Sequence, residues 1–202
     1  MTVGAIAETE GSGKNRHTNQ RTISAVARED AYVQLGEPDY PTYIVRADNI
    51  SIATSADHIL QIMADGTGYT RLLRYWITMT DDRPASDLSP RILLLRITTA
   101  GTGGSAFTSV AYDTADTYAG GMMTLPTAKG TENATLHDHF FNIPTAFPSS
   151  AVYERIYWEA PARGKPIIFG TAVTAGLVWK IVTGIASATI SIHAEFTTTT
   201  YL

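Results

Sequence analysis

From Tyr43 onward, short apolar runs alternate with turn-forming clusters. The runs are Tyr43–Arg46, Asn49–Ala53, His58–Ala64, Tyr69–Thr80, Ile92–Thr98, Ser105–Tyr112, Thr131–Ile143, Ala151–Ala160, Lys165–Phe169, Leu177–Val182 and Ala188–Phe196. The last is the cleanest. Strand alternation puts Ile190, Ile192, Ala194 and Phe196 on one face and turns His193 to the other, toward solvent or a neighbouring chain. His58–Ala64 places Leu60 and Ile62 opposite Ile59, Gln61 and Met63. Ile92–Thr98 is a run of apolar residues interrupted only by Arg96 before its closing Thr98, which predicts a strand buried on both faces. Alternation breaks in Ala151–Ala160, where a bulge near Glu154 is expected.

The punctuation between runs is strong: Asp65-Gly66-Thr67-Gly68, Asp81-Asp82-Arg83-Pro84, Ala100-Gly101-Thr102-Gly103-Gly104, Gly120-Gly121, Pro144, Pro148, Pro161 and Gly164. Many short strands separated by turn signals predict an all-β protein, an antiparallel β-sandwich of jelly-roll-like form. A parallel sheet needs helical crossovers, and the chain has no long amphipathic helix pattern to supply them. Residues 1–42 differ. They are polar and Gly-containing, end in the turn Glu37-Pro38-Asp39-Tyr40-Pro41, and hold one weakly patterned piece, Arg21–Leu35. They read as an extended N-terminal arm preceding a sandwich domain over 43–202.

Composition narrows the function classes. Charged residues are 17% of the 202, below the roughly 25% of an average soluble protein. Thr, Ala, Gly and Ile fill the gap, which suits sheets and a surface hidden against neighbours. A net charge of -4 argues against a general nucleic-acid binder, which needs a basic face. With no Cys, disulfides and thiolate zinc sites are excluded. No basic segment followed by an apolar run opens the chain, and no stretch reaches the roughly 18 apolar residues of a membrane helix. Neither export nor a membrane partner is expected.

Candidate chemistry is sparse. Gly11-Ser12-Gly13-Lys14 is half a phosphate loop, with Glu8 and Asn15 where the full motif needs Gly and Ser or Thr; a flexible linker fits it better. His137-Asp138-His139 is the sharpest metal candidate, because His137 and His139 share a strand face and can reach one ion. No third ligand is visible nearby, although a trimer axis can supply further copies, and a polar strand face is the plainer role. His17 and His58 are isolated. Asp113-Thr114-Ala115-Asp116 and Asp81-Asp82 suit turn chemistry better than calcium. There is no Gly-x-Ser-x-Gly elbow, and Glu154 and Glu159 are acid candidates only by elimination. Tyr75, Trp76, Tyr157, Trp158 and Trp179 can line a sugar site or pack a core or subunit interface. No catalytic residue and no cofactor is assigned.

Several phrases carry a likeness: Asp57–Gly66 followed by Thr70-Arg71-Leu72, Leu95–Gly104, Leu125–Glu132 and Gly164–Ile168. Together they resemble small β-sandwich structural proteins of tailed-phage virions, of the capsid decoration or cement type. The likeness runs from Asp57 to the C-terminus and leaves out the arm. It implies a virion protein. The first expectation built on it is a non-enzymatic capsid decoration or cement protein, assembled in the host cytoplasm, whose arm binds the shell and whose sandwich forms a homotrimer or homodimer. Its partners would be the major capsid protein or other virion proteins, with no nucleic acid and no membrane. The rival is a tail, baseplate or fibre module that binds a host-surface glycan or protein through its aromatics and Gly-rich loops. A carbohydrate-active enzyme using Glu154 or Glu159 ranks last.

Overall fold

The computed structural model describes residues 17–23, 26–32, 40–54, 57–80, 89–141, 155–162, 164–185 and 188–199. Contacts divide the chain into Met1–Asp39 and Tyr40–Leu202. In the first unit, β1 (His17–Ile23) and β2 (Val26–Tyr32) form an antiparallel pair with His17 opposite Tyr32. The phosphate-loop fragment at 11–14 and the acidic pair Asp81-Asp82 lie outside the described residues, as does Glu154.

The second unit is all-β, with two antiparallel sheets packed into a sandwich. Its strands are β3 (Thr42–Ser51), β4 (His58–Met63), β5 (Tyr69–Thr80), β6 (Arg91–Ile97), β7 (Ser105–Phe107), β8 (Val110–Ala111), β9 (Met122–Thr124), β10 (Glu132–Phe140), β11 (Ile156–Glu159), β12 (Ile167–Ile168), β13 (Gly176–Ile181) and β14 (Thr189–Thr199). The first sheet runs β10-β6-β13-β4-β9-β7. The second runs β11-β5-β14-β3-β8, with β12 also on β5. Among β3, β4, β5, β6, β10, β11, β13 and β14, successive strands alternate between the sheets, except β6 and β10, which are neighbours in the first.

Parity builds the core. Ile190, Ile192, Ala194 and Phe196 of β14 are fully buried, as the alternation predicts, facing Trp179, Leu177, Leu60 and Ile62 of the first sheet within one apolar cluster. Tyr75, Ile77 and Leu72 of β5 join the same cluster. The predicted two-sided burial of the Ile92–Thr98 run also holds. Ile92 and Leu94 face the core, while Leu95 and Ile97 join Met63 and Val178 in a second cluster on the outer side of the first sheet.

Three local readings differ from expectation. Tyr43–Arg46 and Asn49–Ala53 belong to one strand, β3, because Asn49 takes a left-handed φ of 54° at a bulge and the pairing with β14 then resumes. The run Ser105–Tyr112 splits into β7 and β8, which lie in different sheets. Ile59 joins the main core beside Leu60, since a register shift between Trp179 and Lys180 breaks the parity of β4.

Candidate functional site

Two places in the sandwich gather chemistry-bearing side chains. The first lies where β10 and β11 are the outermost strands of their sheets. His137 and His139 occupy alternate positions on β10, so both point inward, and both reach Tyr75 on β5 of the opposite sheet. The Tyr75 hydroxyl is 2.7 Å from His137 Nδ1 and 2.5 Å from His139 Nε2. Trp158 of β11 stacks on the Tyr75 ring at 5.6 Å, and Trp179 meets it edge-on at 5.5 Å. Burial pushes the Tyr75 phenol above its ordinary value. Burial, helped by His139, holds His137 below the usual histidine range. Burial does the same to His139, against the pull of Asp138. The hydroxyl has one proton, so it donates to one imidazole and accepts from the N–H of the other. On the outward side of the same strand, Asp138 accepts two hydrogen bonds from Arg91, at 2.8 and 2.6 Å.

The sequence brought His137 and His139 to one face but could not show what they face. Tyr75 is 62 residues from His137 in the chain, and only the packing of β10 over β5 joins them. Among the described residues no three His, Asp or Glu side chains gather into a metal cluster; the third donor here is a phenol.

The second place is the outer face of the second sheet. The register aligns Tyr157, Trp76, His193 and Arg46 in one row, and Glu159, Arg74, Glu195 and Ile44 in the next. The Arg155 guanidinium sits over both Trp76 and Tyr157, 5.0 and 5.4 Å from the ring centres. His193 packs on the other side of the row, 5.1 Å from Trp76, with Nε2 2.9 Å from Asp48. Arg74 donates to the buried Glu195 carboxylate at 2.6 Å, and this bond raises the Arg74 pKa. Tyr157 donates to Glu159 at 2.7 Å. Tyr157, Tyr112 and Val110 remain 48%, 59% and 64% exposed. The five aromatics singled out in the sequence therefore separate: Tyr75, Trp158 and Trp179 turn inward, and Trp76 and Tyr157 turn outward.

His58, isolated in the sequence, is buried in the first sheet. Its Nε2 is 3.0 Å from Glu132, which also accepts two bonds from Lys180 at 2.8 and 2.9 Å. Asp113 accepts from Ala115 N at 2.9 Å, which is turn chemistry as expected. The Gly-rich loop is held down by Gln61, which donates to Gly101 O at 3.2 Å and accepts from Gly101 N at 2.9 Å. A Cβ on Gly101 would lie 2.7 Å from Ala128 O, so the loop passes where only glycine fits.

No protein-family model, curated protein or solved structure matches this chain.

Proposed function

We propose that the chain is a non-enzymatic structural protein of a phage virion, a capsid decoration or cement protein whose sandwich is a jelly roll. The strand order is the observation that carries this reading. The order β10-β6-β13-β4 opposite β11-β5-β14-β3, with β3 beside β14, supports two interlocked Greek keys. Jelly rolls of this kind recur in viral capsid proteins and lectins. A fold does not assign a function by itself, so surface chemistry must add to it. The outer face of the second sheet carries Trp76, Tyr157, Tyr112 and three arginines, Arg46, Arg74 and Arg155. Trp, Tyr and Arg dominate the energetics of protein–protein contacts. Low overall charge fits a surface that stays covered by neighbouring subunits. In this reading residues 1–42 grip the shell, and the outer face of the second sheet is the contact between copies in a homotrimer or homodimer.

Full-length protein and a variant lacking residues 1–41 should be tested against capsids stripped of accessory proteins. Saturable binding that needs residues 1–41 is the expected result. Failure of both forms to bind counts against the cement role.

The same platform favours a second reading, a tail or fibre module that binds a host-surface glycan. Trp76 and Tyr157 are adjacent, outward and partly exposed beneath Arg155, and in this reading a sugar ring takes the place of that guanidinium on the two rings. Adsorption of the purified protein to host cells, lost in Trp76→Ala, would select that reading over the first.

A further inference from the structure

We infer that Tyr75, His137 and His139 form a binding site for a single divalent transition ion of the copper–zinc class. The argument starts from convergence. Two imidazole nitrogens on one strand, His137 Nδ1 and His139 Nε2, lie 2.7 and 2.5 Å from Tyr75 Oη, which a strand of the opposite sheet supplies. A buried tyrosine needs one partner to satisfy its hydroxyl; here a His-x-His pair supplies two. Neutral imidazole is the ligating form, and imidazole suits copper, zinc and nickel, whereas calcium and magnesium require clustered oxygens.

Metal–nitrogen and metal–oxygen bonds of about 2.0–2.1 Å need donors slightly further apart than these hydrogen bonds. The ion therefore takes the place of the shared phenol proton, and Tyr75 withdraws by a fraction of an ångström. The step balances: the dication binds, the phenol O–H breaks and its proton leaves to solvent, the imidazole that donated to the phenol shifts its proton to its other ring nitrogen, and two metal–nitrogen bonds and a metal–phenolate bond form with one positive charge remaining. Two neutral imidazoles complete a three-donor set, and water can fill a fourth position. Both imidazoles are half-buried while Tyr75 is fully buried, so the ion enters past the two imidazole rings and displaces them from the phenol. Trp158, stacked on Tyr75 and 5.1 Å from the His137 ring, reports on the site by its fluorescence. The site does not depend on the virion reading, and it would tie the two sheets together at the edge where β10 and β11 meet.

The test is titration of the full chain with copper(II) and with zinc(II), followed by calorimetry, tryptophan fluorescence and, for copper, visible absorption. One ion per chain, quenching by copper and a phenolate-to-copper charge-transfer band are expected. Tyr75→Phe keeps the ring packing; it should abolish the band and weaken binding at least about 10-fold, a change of about 1.4 kcal/mol. His139→Ala should remove the one-ion isotherm, and His137→Gln serves as a second ligand variant if His139→Ala fails to fold. His193→Ala, on the outer face, should leave the one-ion isotherm and the charge-transfer band unchanged. Absence of saturable binding in the wild type overturns the proposal. So does copper bound without the phenolate band, or a band that survives Tyr75→Phe.

Discussion

The first sheet buries Met63, Leu95, Ile97 and Val178 on its outer side, whereas the second turns Trp76, Tyr157, Arg74 and Glu195 outward. Both outer faces come from the same alternation, so the difference lies in what covers them. Over the first sheet the chain folds its own loops. Gln61 clamps Gly101, Thr102 bridges Ala128, and Glu132 joins His58 to Lys180. Over the second sheet no such layer is found among the described residues. Its outward side chains instead brace one another, Arg155 over Trp76 and Tyr157, and Arg74 on Glu195. A covered face must be apolar to contribute stability. A face kept for a partner must remain tolerable in water until the partner arrives, and amphipathic Trp, Tyr and Arg meet that condition.

The contrast breaks most visibly if the covered face is weakened. Leu95→Ala leaves a cavity under the loops and should cost about 2–5 kcal/mol in urea unfolding. Val110→Ala on the other sheet should stay within about 0.5 kcal/mol. Equal losses would mean that the two faces are not differently covered. Next in size is Gln61→Ala, which leaves the Gly101 N–H and C=O without their side-chain partner. It should cost about 1–3 kcal/mol and loosen the 98–104 loop, measured by unfolding together with amide exchange at Gly101.

A smaller, pH-dependent effect sharpens the same comparison. Burial alone would raise the Glu132 carboxyl, but its hydrogen bonds to Lys180 and His58 bring it below its usual value. A carboxylate depressed in the fold contributes stability that is present above the unfolded value, about 4.3, and lost as pH falls through the folded one. Glu132→Gln should therefore flatten the loss of stability below about pH 4.3 and lower stability at neutral pH. An unchanged acid limb in the urea midpoint would show that the Lys180–Glu132–His58 bridge does not hold the covered face.

How much of this was legible follows from where the signal resides. Strict alternation fixed β14, and the apolar run Ile92–Leu95 with Ile97 announced the double burial of β6, because parity and burial are local properties of a strand. The strand β9 went unseen: Met122–Thr124 is three residues long and follows Gly120-Gly121, which read only as a turn. The division of Ser105–Tyr112 between two sheets was equally hidden, since two residues of crossover leave no compositional mark. At the inner site, the His137/His139 pair could be read from spacing, but Tyr75 could not, because its role depends on how two sheets face each other. His58 was missed for the same reason, its partner Glu132 being 74 residues away. The outward pair Trp76 and Tyr157 became distinguishable from Tyr75 and Trp158 only once the β5–β11 register was known.

The smallest effect on stability is expected at Arg155, and it separates the two faces most directly. Its guanidinium is exposed and held over two aromatic rings, a contact worth about 0.5–1 kcal/mol at exposed positions. Arg155→Ala should therefore shift the urea midpoint only slightly. If the outer face of the second sheet is the contact between copies, the same substitution removes an anchor from that contact. Its effect on self-association should then exceed its effect on folding, at about 2 kcal/mol or more, measured by sedimentation equilibrium across a concentration series. Association that is unchanged while stability falls by the expected small amount would assign Arg155 to bracing Trp76 alone. The contact between copies would then have to be sought elsewhere on the sandwich.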